Sequence, residues 1–235
     1  MSQTPVESSP LDRVAERALA EVRSGMRLGL GTGRAAEAFI RRLGRSVGEG
    51  LEVVGVATSE RSEKLAREVG VRTVTIDAVD ALDLAFDGAD EVAPDGSLTK
   101  GLGAAMLRER VVAWEAARFV VLVTPEKLVS RLGERCPLPI EVVPFAVATA
   151  ERRLAKLGAR AVRRATDAGF VVTDNGNAVI DLWADGAAGW SDARALDAAV
   201  RAVPGVVDTG FFFDRTSLVL VGDAGGLREL RPSAA

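Results

Sequence analysis

Short apolar runs alternate with segments of helical periodicity through the first half of the chain, and this alternation narrows the possible folds more than any other feature. Strands separated by helices do not close hairpins; they lie parallel in one sheet with the helices on its faces. The runs fall at 26–30, 51–57, 71–76, 82–86 and 119–123, and the periodic segments at 11–22, 34–43, 60–69, 103–117 and 125–132. Pro10 suits the first turn of the first helix, and Gly44 and Gly70 are predicted to end the second and third. In such sheets ligands bind beyond the carboxyl ends of the strands. Chemistry is therefore expected in the loops that follow the runs.

Past Cys136-Pro137-Leu138-Pro139 the order changes. A strand over 139–145, a helix over 148–157, strands over 169–173 and 178–183, a helix over 191–202 and a strand over 206–213 are predicted. The middle pair reads as a hairpin around Asp174-Asn175-Gly176-Asn177, where Asn-Gly favours a type I′ turn. That order, β-α-β-β-α-β, is the split ferredoxin-like unit. The run 217–221 then returns to the first sheet. The expected fold class is α/β: a Rossmann-like, mostly parallel sheet flanked by helices, with a smaller ferredoxin-like α+β second domain. Residues 1–135 with 214–235 would form the first domain and 136–213 the second.

Composition removes several function classes. The 235 residues are 48% apolar and 27% charged, enough for a sizeable core. A net charge of −3 argues against nucleic-acid or acidic-membrane partners. The arginine pairs Arg41-Arg42, Arg152-Arg153 and Arg163-Arg164 read as surface charge. There is no histidine, which excludes a Ser-His-Asp triad, a Cys-His pair and the commonest zinc ligand. One cysteine, Cys136, allows no internal disulfide, and no run approaches the length of a membrane span. The first ten residues carry no apolar signal core, so a cytoplasmic protein is expected.

Three segments carry the chemistry. Gly29-Leu30-Gly31-Thr32-Gly33 stands between a strand and a helix, where free N–H groups and the positive end of the helix dipole favour an anion. Thr32 adds a hydroxyl, Arg34 a charge, and Gly33 and Ala35 backbone donors. The same stretch matches G-x-G-x-x-A through Ala36, so a nicotinamide-dependent oxidoreductase stays open. The acidic residue usual after the second strand is poorly supplied, by Glu60 alone.

Asp87-Gly88-Ala89-Asp90 places two carboxylates on one loop, able to bind hydroxyls, pass a proton or hold Mg²⁺. Lys100-Gly101-Leu102-Gly103 leads into the helix that carries Glu109. The helical neighbours of Glu109 are Ala105, Met106, Val112 and Ala113, so no cation on its own helix explains it. An apolar collar raises a carboxyl's pKa and suits it to general-base work. Lys100 is placed to steady developing negative charge. Lys127 reads as a cation in the first turn of a helix, mildly misplaced unless an anion binds there.

With these residues assembled, the chain resembles the A-type ribose-5-phosphate isomerases. The resemblance rests on the three segments above with Arg108-Glu109, on Pro137 to Pro144, on Val172-Thr173-Asp174-Asn175-Gly176-Asn177 and on Pro204-Gly205-Val206-Val207. It implies interconversion of ribose 5-phosphate and ribulose 5-phosphate through a cis-enediolate, without metal or organic cofactor, in a homodimer or homotetramer. It implies Glu109 as the base, Asp87 assisting ring opening, Asp90 holding hydroxyls, Lys100 stabilising the enediolate oxygen, and Thr32, Gly33 and Lys127 on the phosphate. Gly88, Ala89, Gly101, Leu102 and Gly103 would line the sugar. The family's glycine loop continues Gly-Ser-Thr where this chain has Gly33-Arg34-Ala35, so Arg34 would replace lost hydroxyl donors with charge. Leu102 stands where the family often has glycine. A sugar-phosphate sensor without turnover is the third reading; retention of Asp87, Asp90, Lys100 and Glu109 argues against it.

Overall fold

The computed structural model describes residues 9–157, 160–186 and 188–232. In chain order the first half forms α1 (Pro10–Leu19), β1 (Arg27–Leu30), α2 (Arg34–Gly48), β2 (Val54–Ala57), α3 (Glu60–Glu68), β3 (Arg72–Thr73), β4 (Leu82–Asp87), β5 (Glu91–Val92), β6 (Leu98–Thr99), α4 (Met106–Glu115) and β7 (Ala116–Val123). The remainder forms β8 (Leu138–Val142), α5 (Val147–Leu154), β9 (Arg160–Arg163), β10 (Ala165–Thr166), β11 (Gly169–Phe170), β12 (Ala178–Trp183), α6 (Ala193–Arg201), β13 (Val206–Thr209), β14 (Phe211–Phe212), β15 (Thr216–Asp223) and β16 (Gly226–Leu230).

The expected parallel sheet is present, in the order β3-β2-β1-β4-β7-β15-β16. Its neighbours run parallel except β16, which pairs antiparallel with β15. Both faces are covered, which is why β7 and β15 are apolar almost throughout. On one face Leu28, Leu30, Phe86 and Val120 pack against Val14 of α1 and Phe39 and Ile40 of α2, with the Phe39 and Phe86 rings stacked 4.2 Å apart. On the other, Ala85, Phe119 and Val121 pack against Val112 and Ala113 of α4. From β1 the chain moves outward to β2 and β3, then returns to β4 and proceeds the other way. The order therefore reverses between β1 and β4, and their loops part to leave a crevice.

The second sheet, β13-β8-β12-β9, is antiparallel, with Val147 and Ala150 of α5 and Val200 of α6 packed on it. The β-α-β-β-α-β order holds, but the third element is β9 rather than 169–173. Residues 165–170 instead form the separate pair β10–β11. A single bridge, Val172 to Ala178, is what remains of the expected hairpin. The side chains of Thr173, Asn175 and Asn177 all turn onto Glu141 of β8, which draws the segment out of register pairing.

Other differences are local. α2 runs through Gly44, which lies against Val69, to Gly48. The helix expected over 125–132 is only a turn at Pro125–Lys127; Leu128 and Val129 are held extended beside Val92. The edge strand β16 had no apolar signal because most of it is exposed. Among the described residues no helix is long and apolar enough to cross a membrane.

Candidate active site

The loops after β1 and β4 and the segments 100–103 and 122–127 surround a cleft of about 500 Å³ at the carboxyl end of the sheet. Thr32, Gly33, Arg34, Ala35, Gly88, Ala89, Asp90, Lys100, Gly101, Leu102, Gly103, Glu109 and Lys127 all line it. Of the residues expected to touch substrate, Asp87 alone does not; it lies buried beneath. A second groove, about 1080 Å³, runs between α1 and α2 and shares Arg34 with the first.

Two close approaches build the floor. A Cβ at Gly29 would sit 2.4 Å from Val112 Cγ1, so glycine there lets α4 close on β1 and brings Glu109, one turn earlier, over the strand end. A Cβ at Gly31 would sit 2.2 Å from Asp87 Oδ1, so glycine there lets the carboxylate tuck under the loop. Asp87 Oδ1 then accepts from the N–H of Thr32 at 3.0 Å and of Gly88 at 2.7 Å.

Lys100 Nζ stands 3.1 Å from Asp87 Oδ2 and 3.4 Å from Glu109 Oε2, and also donates to the Gly88 carbonyl. All three charged groups are at most 4% exposed. Burial pushes the Glu109 carboxyl up to about 8, against the pull of Lys100 and with the help of Asp87 and Asp90. Burial also raises Asp87 above the usual carboxylate range, again against Lys100. Lys100 is held above its ordinary value, because Asp87, Glu109 and Asp90 outweigh the burial that would lower it. Glu109 Oε2 is buried and accepts no hydrogen bond among the described residues. A buried carboxyl with an open lone pair beside a fixed ammonium is the equipment for taking a proton from carbon while a neighbouring oxygen becomes negative.

Opposite this trio the backbone N–H groups of Gly33, Arg34 and Ala35 have no acceptor among the described residues. Gly33, at φ 99°, makes the turn into α2, and all three residues line the cleft. Arg34 and Lys127 form no ion pair among the described residues, so two cations face the same space. Lys127 sits on a three-residue turn, so the expectation drawn from a helix dipole does not apply to it. The Thr32 hydroxyl is not free for a ligand: it bonds Thr58 Oγ1 at 2.7 Å and donates to Ser59 Oγ at 2.8 Å. Ser62 Oγ donates to the Gly31 carbonyl. Thr32 therefore anchors the loop from below.

Several contributors were not anticipated. The Thr58-Ser59-Ser62 hydroxyls occupy the end of β2, where a nicotinamide enzyme would place its ribose-binding acid. Arg164, read as surface charge, is largely buried; it pairs with Asp181 and donates to the carbonyls of Gly101 and Leu102, steadying the lysine loop. The Leu102 N–H donates to Asp90 Oδ2 at 2.9 Å, so the loop's contact survives with a leucine side chain. Asp90 is raised by burial. No local sequence signal marks Arg164, because Asp181 lies seventeen positions away and Gly101 and Leu102 more than sixty. Among the described residues no cluster of acidic, cysteine or histidine side chains fits a metal ion.

Comparison with known proteins agrees with this geometry. The family model for ribose 5-phosphate isomerase A (phosphoriboisomerase A) matches residues 54–226. Ribose-5-phosphate isomerase A of Roseiflexus castenholzii is 49% identical over 221 residues, covering 93% of each chain. The structure of ribose 5-phosphate isomerase A from Methanocaldococcus jannaschii superposes with a TM-score of 0.89 at 41% identity, over 94% of this chain and 98% of that one. A D-ribose-5-phosphate isomerase in complex with phospho-erythronic acid gives a TM-score of 0.90 at 37% identity, over 94% and 97%. The crevice where the sheet reverses, its buried Asp-Lys-Glu trio and these matches along nearly the whole chain lead to one conclusion: the protein belongs to the ribose 5-phosphate isomerase A family.

Proposed function

We propose that this chain interconverts D-ribose 5-phosphate and D-ribulose 5-phosphate. The observation that carries the reading is Lys100 Nζ lying between Asp87 and Glu109, at 3.1 and 3.4 Å, on the floor of the cleft. The phosphate is held by the N–H groups of Gly33, Arg34 and Ala35, by Arg34 and by Lys127. The open-chain sugar lies along Gly88-Ala89-Asp90 and Gly101-Leu102-Gly103, with Asp90 on its hydroxyls. The Glu109 carboxylate takes the proton from C2, and the electron pair moves onto the aldehyde oxygen to give a cis-enediolate. Lys100 stabilises that oxygen, and Asp87 assists ring opening and proton exchange between the oxygens. Glu109 returns its proton to C1 and the C2 oxygen becomes the ketone. Oxidation at C2 balances reduction at C1, so the step itself consumes no external oxidant.

The same reading makes the chain a cytoplasmic enzyme of the pentose phosphate pathway's non-oxidative branch. The lone cysteine and the net charge of −3 support a reducing compartment and a small-molecule substrate. Residues 1–135 with 214–235 act as the catalytic domain and 136–213 as the smaller one; the seven-stranded and four-stranded sheets support that division, and β14 crosses it to pair with β6. A homodimer or homotetramer is supported by the exposure of Phe145, Phe170 and Val172. Sedimentation giving a monomer mass would refute that part. A coupled assay following ribose 5-phosphate consumption tests the activity. No turnover with tight ligand binding would favour the sensor, and tight NADH binding the oxidoreductase.

A further inference from the structure

The segment Thr173-Asp174-Asn175-Gly176-Asn177 does not line the cleft, yet it is fixed more firmly than a surface turn needs. Glu141, buried on β8, accepts at one oxygen from Thr173 Oγ1 at 2.9 Å, Asn175 Nδ2 at 3.0 Å and Asn177 Nδ2 at 2.9 Å. From this anchor the turn reaches two parts of the active site. Asp174 Oδ2 accepts the N–H of Glu60 at 2.8 Å, at the start of α3. That is the helix whose Ser59 and Ser62 hydroxyls hold Thr32 and the Gly31 carbonyl. The Asp174 carbonyl and Asn175 Oδ1 both accept from Arg108, each at 2.8 Å, and Arg108 precedes Glu109 on α4.

One arm thus ends under the anion cradle and the other on the helix of the base. We propose that this turn is a brace that sets the span between phosphate and base, and so the length of sugar phosphate the site accepts. The proposal rests on the isomerase reading. Asp174, Asn175 and Arg108 are positioning residues; none touches the cleft. A phosphorylated sugar clamped at one end meets Glu109 at a carbon fixed by that span. Misplacement by about 1 Å is enough to cost roughly a hundredfold in rate.

The test uses phosphorylated aldonic acids of increasing carbon number as competitive inhibitors, with inorganic phosphate as the probe of the cradle alone. Asp174→Ala cuts the cradle arm and Arg108→Gln the base arm; both side chains are about a third exposed, and a melting temperature for each variant checks that it is folded. In the parent, one chain length is preferred. In each variant that preference flattens by about tenfold, while inhibition by inorganic phosphate is unchanged. Asp174→Asn keeps an acceptor oxygen and restores the preference. An equal weakening at every length, or a lower melting temperature with the preference intact, overturns the brace, as does a parent with no preference. A parent that does not turn over ribose 5-phosphate but selects one inhibitor length refutes the isomerase reading and leaves the brace standing.

Discussion

Glu109 concentrates the energetics of the site in one side chain. The folded protein holds its proton more tightly than the unfolded chain does, since burial moves the carboxyl from 4.5 to about 8. A raised folded pKa gives stability that is complete below 4.5 and lost as pH rises to about 8. Glutamine does not titrate, so Glu109→Gln gains on the parent across that window, reaching roughly 2–4 kcal/mol at its alkaline end. Denaturant melts at both ends check this; a constant difference would contradict it. In its proposed role Glu109 acts only when ionised, so kcat/KM is expected to rise with pH to a midpoint near 8 in the free enzyme. A flat profile through that region would contradict the assignment. Arg34 is exposed and unpaired among the described residues, and it lines the cleft. Arg34→Ala is expected to raise KM about tenfold or more, as loss of a charged phosphate contact does. Unchanged KM and turnover would remove the arginine from the cradle.

At the scale of elements, the site depends on how closely loops and helices approach. Ala at position 31 would put a methyl group into the Asp87 carboxylate and against its Cα, 2.6 Å away. Gly31→Ala should therefore displace Asp87 and Lys100 together and lower kcat by about 10²-fold or more. A variant with full activity and an unchanged melting temperature would show that the loop and the acidic strand end are not packed as described. The sequence made these elements legible where local chemistry dictates them: a glycine loop after a strand, carboxylates closing another, a lone glutamate without an intrahelical cation. It misled where distant partners decide. The 125–132 helix yields to pairing with Val92, and the 174–177 hairpin yields to Glu141. Arg164 looked like surface charge because Asp181, Gly101 and Leu102 come to it only through the fold.

Across the whole molecule, the reversal of strand order between β1 and β4 turns separate motifs into one site. That the loops carrying the motifs gather at the carboxyl ends of a parallel sheet was readable from alternation and strand-end position alone. The partnership of the two sheets was not, because Arg108, Arg164 and the 173–177 turn act through contacts of more than sixty residues' separation. The central claim is that Glu109 carries hydrogen between C1 and C2 of a phosphate-anchored pentose. Nuclear magnetic resonance of ribose 5-phosphate in deuterium oxide tests it most directly, comparing the parent with Glu109→Gln at saturating substrate. The account predicts that with the parent the hydrogen leaving C2 either reaches C1 directly or exchanges for deuterium at the Glu109 carboxyl before it is returned, and that transfer and incorporation together are at least about 10²-fold slower with the variant while substrate binding is retained. Incorporation by Glu109→Gln at the parent's rate would contradict it.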